Sequence, residues 1–184
     1  MLIPSHTVLA SRISDYAKEK YGFHFVLNAI YRGSIMPDLR DKEHGSHYEE
    51  ACLESASVLW EEILDLEVND LRSFSYKVGQ MLHFIADYFT NAHNKKYLEK
   101  NMRRHMLYEM RLHFRLTKCE RLPHFRFPEV GNPMVQIKAW HDEYMVGRGS
   151  IEKDLRFALR ACFYLTDLIV AIQQEKRAQR LLAA

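Results

Sequence analysis

Cysteine is scarce in this 184-residue chain: Cys52, Cys119 and Cys162 stand far apart, and none belongs to a Cys-x-x-Cys pair. That argues against a disulfide framework and a thiolate zinc site, and the three thiols read as reduced and mostly buried. No stretch reaches the roughly 18 apolar residues that a membrane-spanning helix needs. The N-terminal MLIPSHTVLASRISDY has neither a basic start nor a compact apolar run, so a secretory signal is not expected and the reading is a cytoplasmic protein. Charge of one sign is not in excess either. Twenty-six Lys and Arg against 24 Asp and Glu leave +2, too little to argue for specific binding of duplex nucleic acid. Repeats, low-complexity segments and interdomain linkers are also missing. With 47% hydrophobic residues, the expectation is one well-cored domain over 1–184.

Strand-like alternation is nearly absent, and what is present is helical periodicity. Ser5 can cap a helix over about 6–19 that Tyr21 and Gly22 stop, and a short helix over about 24–31 precedes GSIMPDLRDKEHGSHYE, which reads as the longest irregular segment. Further helices are expected over about 48–65, 70–91 (capped by Asn69 or Asp70) and 95–117. The segment KCERLPHFRFPEVGNPM holds three of the five prolines and reads as a loop. Asn132 with Pro133 then starts a helix, and Ser150 opens a last one running to about 180. In that last helix Leu155, Ala158, Leu159, Cys162, Leu165, Ile169 and Ile172 form a core-facing stripe. The fold class is all-α.

The chemistry-bearing residues cluster in one stretch. In LHFIADYFTNAHN, His83 and Asp87 are four apart, so on a helix they project from one face and can grip one cation. His105 and Glu109 in RRHMLYEM repeat the spacing. His93 lies six residues after Asp87, about 120° around an ideal helix, which suits a second, neighbouring metal. About one such His-x-x-x-acid pair is expected by chance at this composition, and an ion pair on a helix surface is the competing explanation for each. His83 is set apart by its surroundings: in the apolar run MLHFIADYF a buried imidazole and carboxylate are costly, and metal coordination is one of the few ways to satisfy both. Lys95, Lys96, Lys100, Arg103, Arg104 and Arg111 crowd the second pair, either as a solvated helix face or as attraction for an anionic phosphate. His24, His113, His124 and His141 carry no assignment.

Together LHFIADYFTNAHN, HMLYE, HGSHYEEA, GSIMPD and PSHTVLASRI resemble the zinc-dependent phospholipase C family, whose helical superfold is shared with zinc-dependent single-strand nucleases. The resemblance runs from residue 4 to about 110 and rests on the order of the ligand types. It implies a single-domain multi-helix bundle of that type and three zinc positions. His47, His83 and Asp87 would hold one ion, His93, His105 and Glu109 a second, and His6 a third with Asp38 at its side. His44 competes with His47, although Tyr48 supplies the aromatic that the family places directly after its histidine. In the secreted phospholipases the backbone of an N-terminal tryptophan completes the third site, whereas here only Met1, Leu2, Ile3, Pro4 and Ser5 precede His6.

Histidine nitrogens with carboxylate oxygens suit a catalytic zinc, and would also accept manganese or iron. Two such ions about 3.5–4 Å apart lower the pKa of water and stabilise an in-line displacement at phosphorus, so the expected substrate is a phosphodiester, lipid or nucleotide. Asp38 would orient the attacking water or take its proton. The alternatives are a single-strand nuclease or nucleotide phosphoesterase on the same scaffold, and a non-catalytic helical protein with a structural metal.

Overall fold

The computed structural model describes residues 1–40, 49–66, 69–94, 102–119 and 132–183. Among them the regular structure is helical: α1 (Ile3–Tyr21), α2 (Leu27–Arg40), α3 (Glu49–Asp65), α4 (Leu71–Tyr88), a 3₁₀ turn (Asn91–His93), α5 (Met102–Thr117), α6 (Pro133–Tyr144) and α7 (Ile151–Leu182). The expected all-α class holds. His44, His47, Lys95, Lys96, Lys100 and His124 lie outside the described residues, as does most of the proline-rich loop.

Where the sequence carries strong caps, the helices start and stop as expected. Asp70 caps α4 by accepting the Ser73 N–H, Asn132 caps α6 through Met134 N–H, and Ser150 caps α7 through Lys153 N–H. Gly22 ends α1 in the left-handed conformation at φ 62°. The start of α1 differs from expectation. It begins at Ile3 without a side-chain cap, because Pro4 tolerates the first turn, where its missing N–H would have had no helical partner. Ser5 is buried instead, with its hydroxyl 3.1 Å from His113 Nδ1.

The larger correction concerns α2. Gly33, Pro37 and Asp38 read as loop in the sequence, yet the helix runs unbroken from Leu27 to Arg40. Pro37 costs one bond, to the Gly33 carbonyl, and packing against α4 outweighs that loss. The two helices meet backbone to backbone. A Cβ on Gly33 would lie 2.0 Å from the Tyr76 carbonyl oxygen, and one on Gly79 would lie 2.2 Å from that of Ile30. Neither glycine punctuates a turn; each removes a side chain so that the helices can touch.

Helix α4 lies at the centre, against α2 and α3 and reaching α7 and α1. It buries Phe74, Val78, Met81, Leu82, Ile85 and Ala86 as one apolar face, into which His83 and Asp87 are set. Helix α7 contributes Phe157, Ala158, Leu159, Cys162, Leu165 and Ile169 to the same core, with Leu155 and Ile172 half-buried at its margin, as the stripe implied. Helix α1 is lashed to the end of α5 by Arg12, whose guanidinium donates to Cys119 O (2.5 Å), Leu116 O (2.8 Å) and Thr117 O (3.3 Å). Those carbonyls would otherwise be the unsatisfied end of a helix. No helix among the described residues is long and apolar enough to cross a membrane.

The glycine contact can be checked directly. Helix propensity alone would make Gly79→Ala stabilising by about 1 kcal/mol. The collision with the Ile30 carbonyl reverses the sign, and a net loss of about 1–3 kcal/mol is expected in urea denaturation. A variant as stable as the parent chain would show that the helices part at little cost.

Candidate metal centre

Three helices aim four side chains at one point. Helix α4 presents His83 and Asp87 from adjacent turns, α1 brings His6, α2 brings Asp38, and one ligand atom from each of these four lies within 4.8 Å of all the others. The imidazoles of His6 and His83 stack at 3.9 Å, tilted by 26°. His83 Nδ1 is 2.9 Å from the Ser34 carbonyl oxygen, to which it donates. That bond fixes the tautomer and leaves a lone pair on Nε2, 3.4 Å from Asp87 Oδ2 and 3.7 Å from Asp38 Oδ1. His6 Nε2 is 3.4 Å from Asp87 Oδ1 and 4.0 Å from Asp38 Oδ2. Both ring nitrogens of His6 are buried and make no hydrogen bond among the described residues.

These separations fit a cation. Ligands about 2.1 Å from a tetrahedral zinc stand about 3.4 Å apart, and lone pairs turned toward carboxylate oxygens at that spacing repel one another unless a positive charge lies between them. A second donor group adjoins the first through Asp87. His93 Nε2 is 3.7 Å from Asp87 Oδ1 and 3.8 Å from Glu109 Oε1, and His105 Nε2 is 3.5 Å from the same Glu109 oxygen. Here a cation is visible: the Met1 ammonium sits 2.6 Å from Asp87 Oδ1, 2.9 Å from His93 Nε2 and 3.5 Å from Glu109 Oε1. A positive group therefore sits comfortably among these donors.

The electrostatics agree. Burial would push the Asp87 carboxyl up, but the surrounding charges, His93 and the Met1 ammonium foremost, outweigh it and hold the group well below the usual carboxylate range. Glu109 is likewise lowered against its burial, by the hydrogen bond from His93 and by Met1 and His105. Burial, reinforced by the neighbouring His6, depresses His83 well below the ordinary imidazole value and keeps it neutral, the form that can ligate. Exposure grades the site: Asp87, His6 and His83 side chains are sealed, whereas Asp38 is 21%, His93 17% and His105 25% exposed. Those three form its mouth.

Of the sequence-predicted residues, His6, Asp38, His83, Asp87, His93, His105 and Glu109 come together, and His47 lies outside the described residues. His6 and Asp38, assigned by the resemblance to a separate third position, stand in the same cluster as His83 and Asp87.

Sequence reasoning did not find the residues that hold the His93 turn. Asp154, buried at the start of α7, accepts the Asn91 N–H (3.1 Å) on one oxygen and lies 2.9 Å from the Tyr144 hydroxyl with the other, and that hydroxyl is also 2.8 Å from Asn91 Oδ1. Gly149 lets Asn91 approach, since a Cβ there would lie 2.3 Å from the Asn91 amide. On the far side of the turn, His141 Nε2 is 2.9 Å from Asn94 Oδ1 while its ring stacks on Tyr88 at 3.9 Å. Burial lowers His141 to about 4, so it is a neutral structural histidine.

Comparison with known proteins gives a family match. The family described as zinc dependent phospholipase C matches residues 5–167, extending past α5 and α6 into α7. No curated protein and no solved structure matches the chain.

The turn's anchor has a pH signature. Burial raises the Asp154 carboxyl from 3.8 to about 8, against the opposing pull of the Asn91 N–H. Between those values the folded chain holds a proton that the unfolded chain has released. This contribution to stability is therefore complete below the ordinary pKa and is lost as pH rises through about 8. Asp154→Asn, which cannot ionise, should lose less stability than the parent chain between pH 5 and 8.5 in urea titrations. Parallel losses would remove Asp154 as a buried proton holder.

Proposed function

Because the chain belongs to the zinc-dependent phospholipase C family, we propose that it is a metal-dependent phosphoesterase that hydrolyses a phosphodiester, with a phospholipid as the substrate. One observation carries this reading: two adjoining sets of nitrogen and oxygen donors joined through the buried carboxylate of Asp87. His6, His83 and Asp87 would hold one zinc ion with Asp38 at its side, and His93, His105 and Glu109 a second beside it; His47 is a further candidate for the first. Zinc bound there would supply Lewis acidity toward water and charge neutralisation at phosphorus.

The residues divide by exposure. Sealed side chains at His6, His83 and Asp87 serve to hold and orient, with the Ser34 carbonyl fixing the His83 ring. Asp38 lies on the solvent side of the set, where water and substrate arrive, and is the residue placed to align a water molecule and accept its proton. His93 and His105 border the same opening, where a phosphate would be received.

Two outcomes follow. Protein purified without chelator should carry at least two divalent ions per chain by elemental analysis, and stripping them should lower Tm by about 5–10 °C, the scale expected for sites near saturation in a chain of this size. Asp87→Asn should reproduce much of that loss, whereas His24→Ala, on an exposed site outside the centre, should not. Fewer than about one ion after reconstitution with zinc or manganese would overturn the two-set reading.

Asp38→Asn tests the chemistry. It should keep the metal content while a chromogenic phosphodiester is cleaved about 10²-fold more slowly or worse, the usual scale for a positioned acid or base. Activity within a few-fold of the parent would remove Asp38 from catalysis, and loss of metal would make it a ligand instead. Parallel assays with phosphatidylcholine and single-stranded DNA separate the phospholipase from a nuclease on the same scaffold, and inactivity toward all three substrates would leave a structural metal.

A further inference from the structure

Helix α5 has a face that the site does not use. Met102, Met106, Met110 and Phe114 recur every four residues and, with Leu107, are all more than two-fifths exposed, an unusual concentration of large apolar groups on one helix. On a helical wheel this arc starts about 20° from Glu109 and sweeps through about 140°, so it borders the donor row of His105 and Glu109. Arg103 is exposed within the arc, and Arg104, Arg111 and Arg115 are exposed beyond its far edge; Arg115 stands 3.7 Å from Glu152, and Arg103 and Arg104 also make interactions within the chain. The helix has one acidic residue, Glu109, and it is turned inward. Site, apolar arc and basic arc therefore succeed one another around a single helix.

We propose that this face of α5 docks the protein on an anionic phospholipid surface. Unbranched methionines and a phenylalanine can sink into the boundary between headgroups and acyl chains, while the arginines meet lipid phosphates, the combination that holds amphipathic helices in an interface. Charge decides the occupant. A second copy of this chain would bring arginines against arginines, whereas an anionic leaflet complements them. Docked this way, the mouth lined by His105 lies at headgroup height. The benefit to catalysis rests on the phosphoesterase reading above, but the docking itself does not.

The test uses zinc-loaded protein and two vesicle types, phosphatidylcholine alone and phosphatidylcholine mixed with phosphatidylserine. The parent chain should co-sediment with the mixed vesicles and far less with the neutral ones. The double variant Met106→Gln/Met110→Gln and, separately, Arg104→Gln/Arg111→Gln should each bind the mixed vesicles about tenfold more weakly. Both should cleave a soluble chromogenic diester within about twofold of the parent while vesicular phospholipid is cleaved about tenfold more slowly. Absence of sedimentation by the parent chain, or unchanged sedimentation by both variants, overturns the proposal. So does a dimer by light scattering that the methionine variant dissociates, which would make the face an interface between copies. If the soluble diester is not cleaved by any form, the phosphoesterase reading fails, and vesicle binding still decides the docking surface on its own.

Discussion

The contact between Gly33 and Gly79 sets the distances on which the site depends. Two helices separated by ordinary side chains lie 8–10 Å apart, too far for a carbonyl on one to receive a proton from an imidazole set close to the other's axis. With no side chain at either glycine, the backbones of α2 and α4 touch, Ser34 O comes within 2.9 Å of His83 Nδ1, and Asp38, one turn further along, faces the same ring. The approach is braced at its other end, where Phe25 stacks on Phe74 at 6.0 Å and the Val26 N–H donates to the Ser75 hydroxyl at 2.9 Å.

Given that approach, the rest of the molecule works to keep a highly charged pocket closed. Asp87 is fully buried, Glu109 nearly so, and carboxylates in such positions are tolerated only when positive or hydrogen-bonding groups surround them. His93 and the Met1 ammonium, which stand beside both carboxylates, meet that requirement first. Behind the His93 turn the support is aromatic: Phe89, Tyr144 and Phe157 pack with ring centroids 5.6–5.9 Å apart and leave Asp154 sealed against Asn91. The turn is thus held by the core itself.

How much of this the sequence reveals depends on whether the deciding force is local. Caps at Asp70, Asn132 and Ser150 are satisfied within a few residues, and α4, α6 and α7 start where their sequences say. The four-residue spacings of His83 with Asp87 and His105 with Glu109 survive for the same reason, since helix geometry fixes them before any tertiary contact forms. Helix α2 fails locally and succeeds globally. Gly33 and Pro37 are both poor helix residues, and only the partner backbone of α4 reveals why a glycine there is favourable. Asp38 consequently stands on a helix, not in a loop. Asp154 stands in the first turn of α7, where an acidic residue is ordinary; its pairing with Asn91, 63 residues earlier, has no short-range signature.

The lashing of Arg12 to the end of α5 makes that helix a lever with its fulcrum near Leu116. Glu109 lies seven residues from Leu116, about 10 Å along the axis, and His105 lies eleven residues away, about 16 Å. Whatever angle α5 swings through about the guanidinium, the His105 ring travels roughly half again as far as the Glu109 carboxylate. A tilt of the helix about that point therefore displaces the more exposed of the two donors, at the mouth, further than the buried Glu109 carboxylate. His105 is the donor on the longer arm, and the width of the opening follows the angle of α5 more closely than the position of Glu109 does.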